Sequence, residues 1–172
     1  MAARSTFPPG VDPLALEEQV CFALSVAARS VVGVYRPVLE PLGLTHPQYL
    51  VMLALWQRAP VRASELSRLL QLDPGTLSPL LKRLERAGLV VRGKDPTDDR
   101  ALALDLTDEG RVLRERALDV PGTIVERLGM SLDDLRALHR SLTEVIAAAQ
   151  EPGQEPVLDS RRDGTAAPGE DQ

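Results

Sequence analysis

One segment near the middle of the chain, DPGTLSPLLKRL at positions 73–84, most restricts the folds open to this protein. Asp73 is a residue type that caps the start of a helix, and Pro74 suits the first helical position. Leucines then recur at helical spacing until Gly88, a residue type that ends helices. A shorter helix is predicted just before it, over about 63–70, with a tight turn between the two. The pair predicts a helix-turn-helix.

Two short apolar runs follow this motif. The runs LVVR at 89–92 and ALALDL at 101–106 predict two strands. Residues 93–100 between them are polar and rich in turn formers, so we expect a hairpin whose tip, 93–100, is exposed and unpaired. Upstream, THPQ at 45–48 has the form of a capping box and predicts a helix over about 46–58.

Helical patterns flank this central part on both sides. The first runs over about 14–35, and we expect Pro37 to kink it or restart it, because proline has no amide donor. Thr107 is expected to cap a long helix that breaks near Pro121, and a last helix should reach about residue 149. The predicted fold class is mainly α with a small β-hairpin wing, a winged helix-turn-helix over about 45–107 with flanking helices at about 14–40 and 108–150.

Both termini look unlike the rest of the 172-residue chain. Residues 1–13 are rich in proline and predict a flexible arm, and residues 151–172 predict a disordered acidic tail. That tail has six acidic residues and two arginines, so it contributes -4 to the net charge of -5. The body is therefore nearly neutral, and its cations concentrate within positions 82–100.

Composition narrows the compartment and the chemistry. No apolar run approaches the roughly 20 residues of a spanning helix, and the first residues lack a secretory layout, so we expect a soluble, cytoplasmic protein that binds no membrane. The single cysteine cannot form an internal disulfide, which also fits a reducing compartment. The residues predict no cofactor and no metal site.

The helix-turn-helix and the hairpin predict a surface for double-stranded DNA. The second helix of such a motif lies in the major groove, and nearby cations neutralise phosphates. At the hairpin tip, Arg100 is placed to reach the minor groove, and we interpret Asp98 as the partner that orients its guanidinium. The alternative is that these charges form the solvated face of a small helical domain. The candidate DNA-contacting residues are Pro74, Thr76, Ser78, Lys82, Arg83, Arg92, Lys94, Asp98 and Arg100.

Six stretches in this order resemble the MarR family of winged-helix repressors, and more closely its organic-hydroperoxide-sensing OhrR branch. They span about residues 14–148. The stretches are LEEQVCF at 16–22, YRPVL at 35–39, PQYL at 47–50, LDPGTLSPLLKR at 72–83, DDR at 98–100 and VPGTI at 120–124.

The resemblance implies a homodimer built by the terminal helices and a pseudo-palindromic operator. It also implies that Cys21 is the peroxide-reactive thiol and that Tyr35 is one of its hydrogen-bonding partners. The family often has tyrosine at the second partner position, where this chain has His46. With no second cysteine, we expect an organic hydroperoxide to oxidise Cys21 to a sulfenic acid that condenses with a low-molecular-weight thiol.

Helix geometry bears on how such a site is assembled. If Cys21 and Tyr35 share one helix, fourteen residues at about 1.5 Å each separate them by roughly 21 Å. They cannot meet within one subunit, so antiparallel first helices in a dimer would bring Cys21 of one chain to Tyr35 and His46 of the other.

Three alternatives stay open at this point. Judged by its position alone, Cys21 is a small buried hydrophobe, as most lone cysteines are. A second is a MarR-type repressor that a small aromatic ligand releases. The third, a one-cysteine thiol peroxidase, is weak, because the chain has neither a peroxidatic Thr/Ser-x-x-Cys loop nor a phosphate-binding glycine loop, so we do not expect an enzyme.

Overall fold

The computed structural model describes residues 12–95 and 98–150, and within these it has seven α-helices and three strands. Short 3-10 turns precede and follow the first helix. The elements in chain order are α1 (Val20–Leu39), α2 (His46–Arg58), β1 (Val61–Arg62), α3 (Ala63–Leu70), α4 (Pro74–Arg86), β2 (Val90–Asp95), β3 (Asp98–Leu106), α5 (Asp108–Ala117), α6 (Val120–Leu128) and α7 (Leu132–Ala149).

Local capping signals set the starts of several helices, as predicted. The capping box of α2 is present, and Gln48 accepts a hydrogen bond from the Thr45 amide at 2.9 Å. Thr107 accepts from the Gly110 amide at the start of α5, and Ser131 does the same for α7. Each cap satisfies an amide that has no partner within its helix. The predicted extents of α2 and α3 are therefore confirmed.

The predicted hairpin belongs to a three-stranded antiparallel sheet of order β1-β3-β2. The sequence analysis missed β1, whose Val61 pairs with Leu104. The two strands run further into 93–100 than expected, because β2 extends to Asp95 and β3 begins at Asp98, while Lys94 and Arg100 are exposed as predicted. Polar side chains do not prevent a backbone ladder at a solvent-exposed hairpin, so the strands continue through them.

The first helix also differs from expectation at its end. It does not restart at Pro37 but continues to Leu39, and Gly43 turns the chain with a φ of 68°. Proline removes only the amide that would bond the carbonyl of Gly33, and that residue is exposed to water.

The same helix is more apolar than the sequence analysis expected. Arg29 and Arg36 interrupt its apolar residues. Judged by length and composition alone, the segment Val20–Leu42 is nevertheless long and apolar enough to cross a bilayer. Most of its surface is exposed in the single chain, including the apolar side chains of Val20, Phe22, Leu24, Val26 and Val32. Besides a bilayer, the surface of another protein chain is an environment that can cover these apolar side chains.

The core lies among α2, α3, α4, the sheet and the α5–α6 region. Leu39, Met52, Leu66 and Leu84 are fully buried there. Trp56 is half-buried and donates from Nε1 to the carbonyl of Gly110 at 2.9 Å, which joins α2 to α5.

The chain divides into two compact units after Gly129. Within the second unit, the described part is α7, whose apolar Leu132, Leu138, Val145 and Ile146 are exposed. The expected acidic tail and most of the expected N-terminal arm, residues 1–11, lie outside the described residues.

Candidate functional site

Helix α4 presents a polar face outward from the helix-turn-helix. Its apolar side is buried, which fixes how the helix sits on the core. Leu77, Leu80, Leu81 and Leu84 form that buried side. Of the predicted DNA-contacting residues, Pro74, Thr76, Lys82 and Arg83 are exposed and Ser78 is half-buried. The sequence therefore identified the outward face correctly.

The first turn of α4 is held by Asp73. Its carboxylate accepts from the Thr76 amide at 2.9 Å and from the Thr76 hydroxyl at 2.5 Å. These hydrogen bonds from Thr76 lower the pKa of Asp73 below its usual value, because they favour the charged carboxylate. The hydroxyl proton of Thr76 is thus engaged, and what it offers a ligand is its oxygen as an acceptor and its methyl group.

The base of the wing carries one of the predicted cations in an ion pair. Arg92 on β2 donates from Nε to Oε1 of Glu85 on α4, at 2.5 Å. Both side chains are partly exposed, with 40% and 26% of their surfaces accessible. Lys94, further along β2, is exposed. Arg92 is therefore held against α4.

At the wing tip, Asp98 contacts the residue that it is predicted to orient, through the backbone amide of Arg100. Asp98 accepts from the backbone amide of Arg100 at 3.0 Å, and its other oxygen faces Arg62 at 3.4 Å. Arg100 lies in β3 and is exposed. Asp98 pairs with Asp95 in the sheet, whereas Arg100 lies in the irregular stretch of β3 between that pair and the pair of Lys94 with Leu102.

Sequence reasoning missed Arg62 altogether. It lies on β1, and its Nε donates to Asp95 at 2.5 Å, which joins the start of α3 to the end of β2. A two-residue strand has no alternating pattern, so nothing local identifies Arg62 as a partner of the wing.

Cys21 lies in the first turns of α1 and is exposed in the single chain. Its carbonyl accepts from the Ser25 hydroxyl at 2.8 Å, an ordinary bond within a helix. The alternative that Cys21 is a buried hydrophobe therefore does not hold for one chain alone.

The other two predicted thiol-site residues lie together. The rings of Tyr35 and His46 meet edge to face with centroids 4.9 Å apart, and Tyr49 lies 6.0 Å from Tyr35. Burial raises the pKa of Tyr35 and lowers the pKa of His46, because it disfavours phenolate and imidazolium alike. The pair therefore presents a phenol and a neutral imidazole at pH 7.

This aromatic pair is remote from the thiol of its own chain. Since α1 is continuous over Val20–Leu39, the fourteen residues from Cys21 to Tyr35 correspond to about 21 Å along the helix axis. A hydrogen bond to sulfur requires a distance of less than about 4 Å. Within one chain, Cys21 is therefore too far from Tyr35 to form one.

Comparison with known proteins gives a consistent picture. The MarR family model matches residues 44–102. The organic hydroperoxide resistance transcriptional regulator of Bacillus subtilis is 40% identical over 131 residues, which cover 76% of this chain and 89% of that protein.

Two solved structures are similar in both sequence and fold. Reduced AbfR bound to DNA, from Staphylococcus epidermidis, is 31% identical with a TM-score of 0.64 and covers 77% of this chain and 93% of that one. CouR of Rhodococcus jostii bound to p-coumaroyl-CoA is 31% identical with a TM-score of 0.67, and covers 78% and 95%. The chain has a winged helix-turn-helix and a basic outward helix face, and it is 40% identical to the Bacillus subtilis regulator over most of the length of both proteins. It therefore belongs to the MarR family of DNA-binding transcriptional regulators.

Proposed function

We propose that this regulator is a homodimeric repressor that senses organic hydroperoxides through oxidation of Cys21 and then releases a pseudo-palindromic operator. The observation that carries the proposal is that an exposed thiol and a phenol lie far apart on one continuous helix, while the phenol contacts the imidazole at the start of α2. The similarity to a regulator of organic hydroperoxide resistance and to a protein solved on DNA in its reduced form supports it.

The composite site needs a second chain. The N-terminal half of α1 is apolar and uncovered, which is the property of a surface that a partner buries. A two-fold pairing that runs two α1 helices antiparallel places Cys21 of each chain next to Tyr35 and His46 of the other. Such an isologous arrangement forms two equivalent sites per dimer.

The protonation states of the pair suit a thiolate. Because the pKa of Tyr35 is raised, its phenol keeps the proton at neutral pH and can donate it in a hydrogen bond to sulfur. His46 is neutral and carries one ring N–H, which is a second donor in place of the tyrosine frequent in the family. Donors aimed at sulfur stabilise the thiolate, which is the reactive form.

The oxidation is a two-electron transfer to the peroxide. The thiolate sulfur attacks the terminal oxygen, the O–O bond breaks, and the alkoxide leaves as an alcohol after it takes up a proton, so that Cys21 becomes a sulfenic acid. A low-molecular-weight thiol then condenses with the sulfenic acid to form a mixed disulfide and water. The added group crowds the interface, displaces Tyr35 and changes the separation of the two α4 helices.

The DNA contacts follow from the exposed face of α4 and from the wing. Pro74, Thr76 and Ser78 occupy the first turns of α4, where a recognition helix meets base edges, and Lys82 and Arg83 lie a turn later near phosphates. We assign the wing residues Lys94 and Arg100 to the adjacent minor groove, and Arg92 to phosphate once Glu85 releases it. We also assign the protein to the cytoplasm and give it no catalytic activity.

One observation favours a second candidate, release by a small aromatic ligand. A cleft of about 550 Å³ lies between α1 and the start of α2, with Val32, Arg36 and His46 among its lining residues. CouR, a relative in fold and sequence, is known bound to p-coumaroyl-CoA. A ligand in this cleft would act without Cys21, which gives the test between the two candidates.

The test is operator release by the Cys21→Ser variant, followed by fluorescence anisotropy of a labelled operator. We expect this variant to bind the operator like the parent and to stay bound when cumene hydroperoxide and a small thiol are added, whereas the parent dissociates. Ser25→Ala, one turn along α1, is the matched control and should respond like the parent. Dissociation of Cys21→Ser with the parent's dose response would refute the sulfur sensor.

A further inference from the structure

The wing has an ion-pair cluster formed by Arg62, Asp95 and Asp98. Of these three residues, only Asp98 is among the predicted DNA-contacting residues. Arg62 Nε donates to Asp95 Oδ2 at 2.5 Å, and Arg62 Nη2 lies 3.4 Å from Asp98 Oδ2. Asp95 ends β2 and Asp98 begins β3, so one guanidinium spans the two sides of the wing turn. The cluster therefore fastens the tip of the hairpin from outside it.

The register of the sheet explains why this arginine reaches the tip. Arg62 on β1 pairs with Ala103 on β3, which pairs in turn with Gly93 on β2. Side chains two residues apart on a strand share a face, so Asp95 lies on the same face as Gly93 and hence as Arg62.

Burial differs sharply between the two carboxylates. Asp95 is 8% exposed, while Asp98 and Arg62 are 44% and 41% exposed. A buried carboxylate needs a cation, so the Asp95 contact anchors Arg62 in place. The exposed contact between Arg62 and Asp98 adds little to stability. Its effect is to hold the Asp98 carboxylate in position.

Asp98 links Arg62 to Arg100. One oxygen of Asp98 accepts from the Arg100 amide at 3.0 Å, and the other faces Arg62. The guanidinium thus fixes a carboxylate that fixes the backbone from which the exposed Arg100 side chain projects. We propose that Arg62 is a positioning residue for DNA binding, which orients the wing arginine through Asp98 and does not contact DNA itself.

This inference rests on the proposed contact of Arg100 with DNA, and a double-mutant cycle tests the two separately. Operator affinity is measured for the parent, Arg62→Met, Arg100→Ala and the double variant at one salt concentration. Arg62→Met should weaken binding by up to about fivefold, the range of a partly exposed ion pair, and should add less than about twofold when Arg100 is already absent. If Arg62→Met instead disturbed the whole fold, it would weaken operator binding equally with and without Arg100.

Two results would overturn the inference. Parental affinity in Arg62→Met is one, and an equal loss in both backgrounds is the other, since it would mean that Arg62 acts independently of the wing arginine. Unchanged affinity in Arg100→Ala would instead refute the proposed wing contact.

A second variant covers the case in which Arg62→Met, which removes the Arg62 cation from the buried Asp95 carboxylate, fails to fold. Asp98→Ala removes only the exposed link, and we expect it to weaken the operator complex and to lose this effect in the Arg100→Ala background. Arg111→Met is the matched control, because Arg111 pairs with Asp105 at the other end of β3 at 2.9 Å. It should bind the operator like the parent, and Asp98→Ala binding no more weakly than Arg111→Met would count against the positioning role.

Discussion

A methyl group added at Gly110 would collide with backbone. An ideal Cβ there lies 2.1 Å from the carbonyl oxygen of Leu89 and 3.3 Å from Cδ2 of Leu106. Ordinary contacts begin at about 3.4 Å, so the start of α5 and the chain entering β2 must separate by more than 1 Å. The same displacement pulls the Gly110 carbonyl from the indole of Trp56, to which it is bonded at 2.9 Å.

Overpacking of this kind costs about 1–3 kcal/mol, and a lost hydrogen bond adds about 1 kcal/mol. For a domain of this size each kcal/mol lowers Tm by roughly 4 °C, so we expect Gly110→Ala to melt about 8–16 °C below the parent. The measurement is thermal unfolding followed by circular dichroism at fixed protein concentration.

Gly122 provides the matched control, since it also lies in the first turn of a helix. A Cβ there meets nothing within 4 Å, and alanine favours helix by up to about 1 kcal/mol over glycine. Gly122→Ala should therefore melt at or slightly above the parent. Equal melting temperatures of the two alanine variants would refute the packing argument.

Three further predictions concern charge and pH. Glu85→Gln should raise operator affinity by up to about fivefold, because it frees Arg92 from a partly exposed pair worth about 0.2–1 kcal/mol, and weaker binding in an anisotropy titration would contradict this. Arg100→Ala should weaken the operator complex and lower the slope of log affinity against log salt by about one, and an unchanged slope would exclude the wing contact. Burial lowers the pKa of His46, so unfolding takes up a proton there and stability should fall as the pH drops below about 6.5. His46→Gln should show a smaller Tm difference between pH 7.5 and 5.5 than the parent and than His139→Gln, and an identical difference in all three would contradict it.

Local signals predicted the helices well. Four helix starts have a capping side chain within three residues, at Thr45, Asp73, Thr107 and Ser131, and sequence spacing is enough to predict such interactions. The outward face of α4 was predictable for a similar reason, because its leucines recur at helical spacing.

The features that were missed depend on residues far apart in sequence. Strand β1 exists only through its pairing with β3, and the bond from Arg62 to Asp95 joins residues 33 positions apart. The polarity of 93–100 predicted exposure correctly for Lys94 and Arg100, but it did not show that Gly93, Lys94 and Asp95 pair with β3. The commitment of Arg92 to Glu85 likewise follows from how the wing lies against α4.

The claim that the sensing site is shared between two chains has a direct test in mixed dimers. One mixture combines Cys21→Ser chains with Tyr35→Phe chains, and a dimer of one of each keeps one site with both cysteine and tyrosine if the site lies between subunits. The other mixture combines the parent with chains carrying both substitutions, and its mixed dimers then have no complete site. Differently tagged, purified heterodimers are treated with cumene hydroperoxide, and Cys21 oxidation is followed by mass spectrometry. We expect parental oxidation rates in the first heterodimer and slow oxidation in the second, whereas the reverse order would show that each thiol is activated within its own chain.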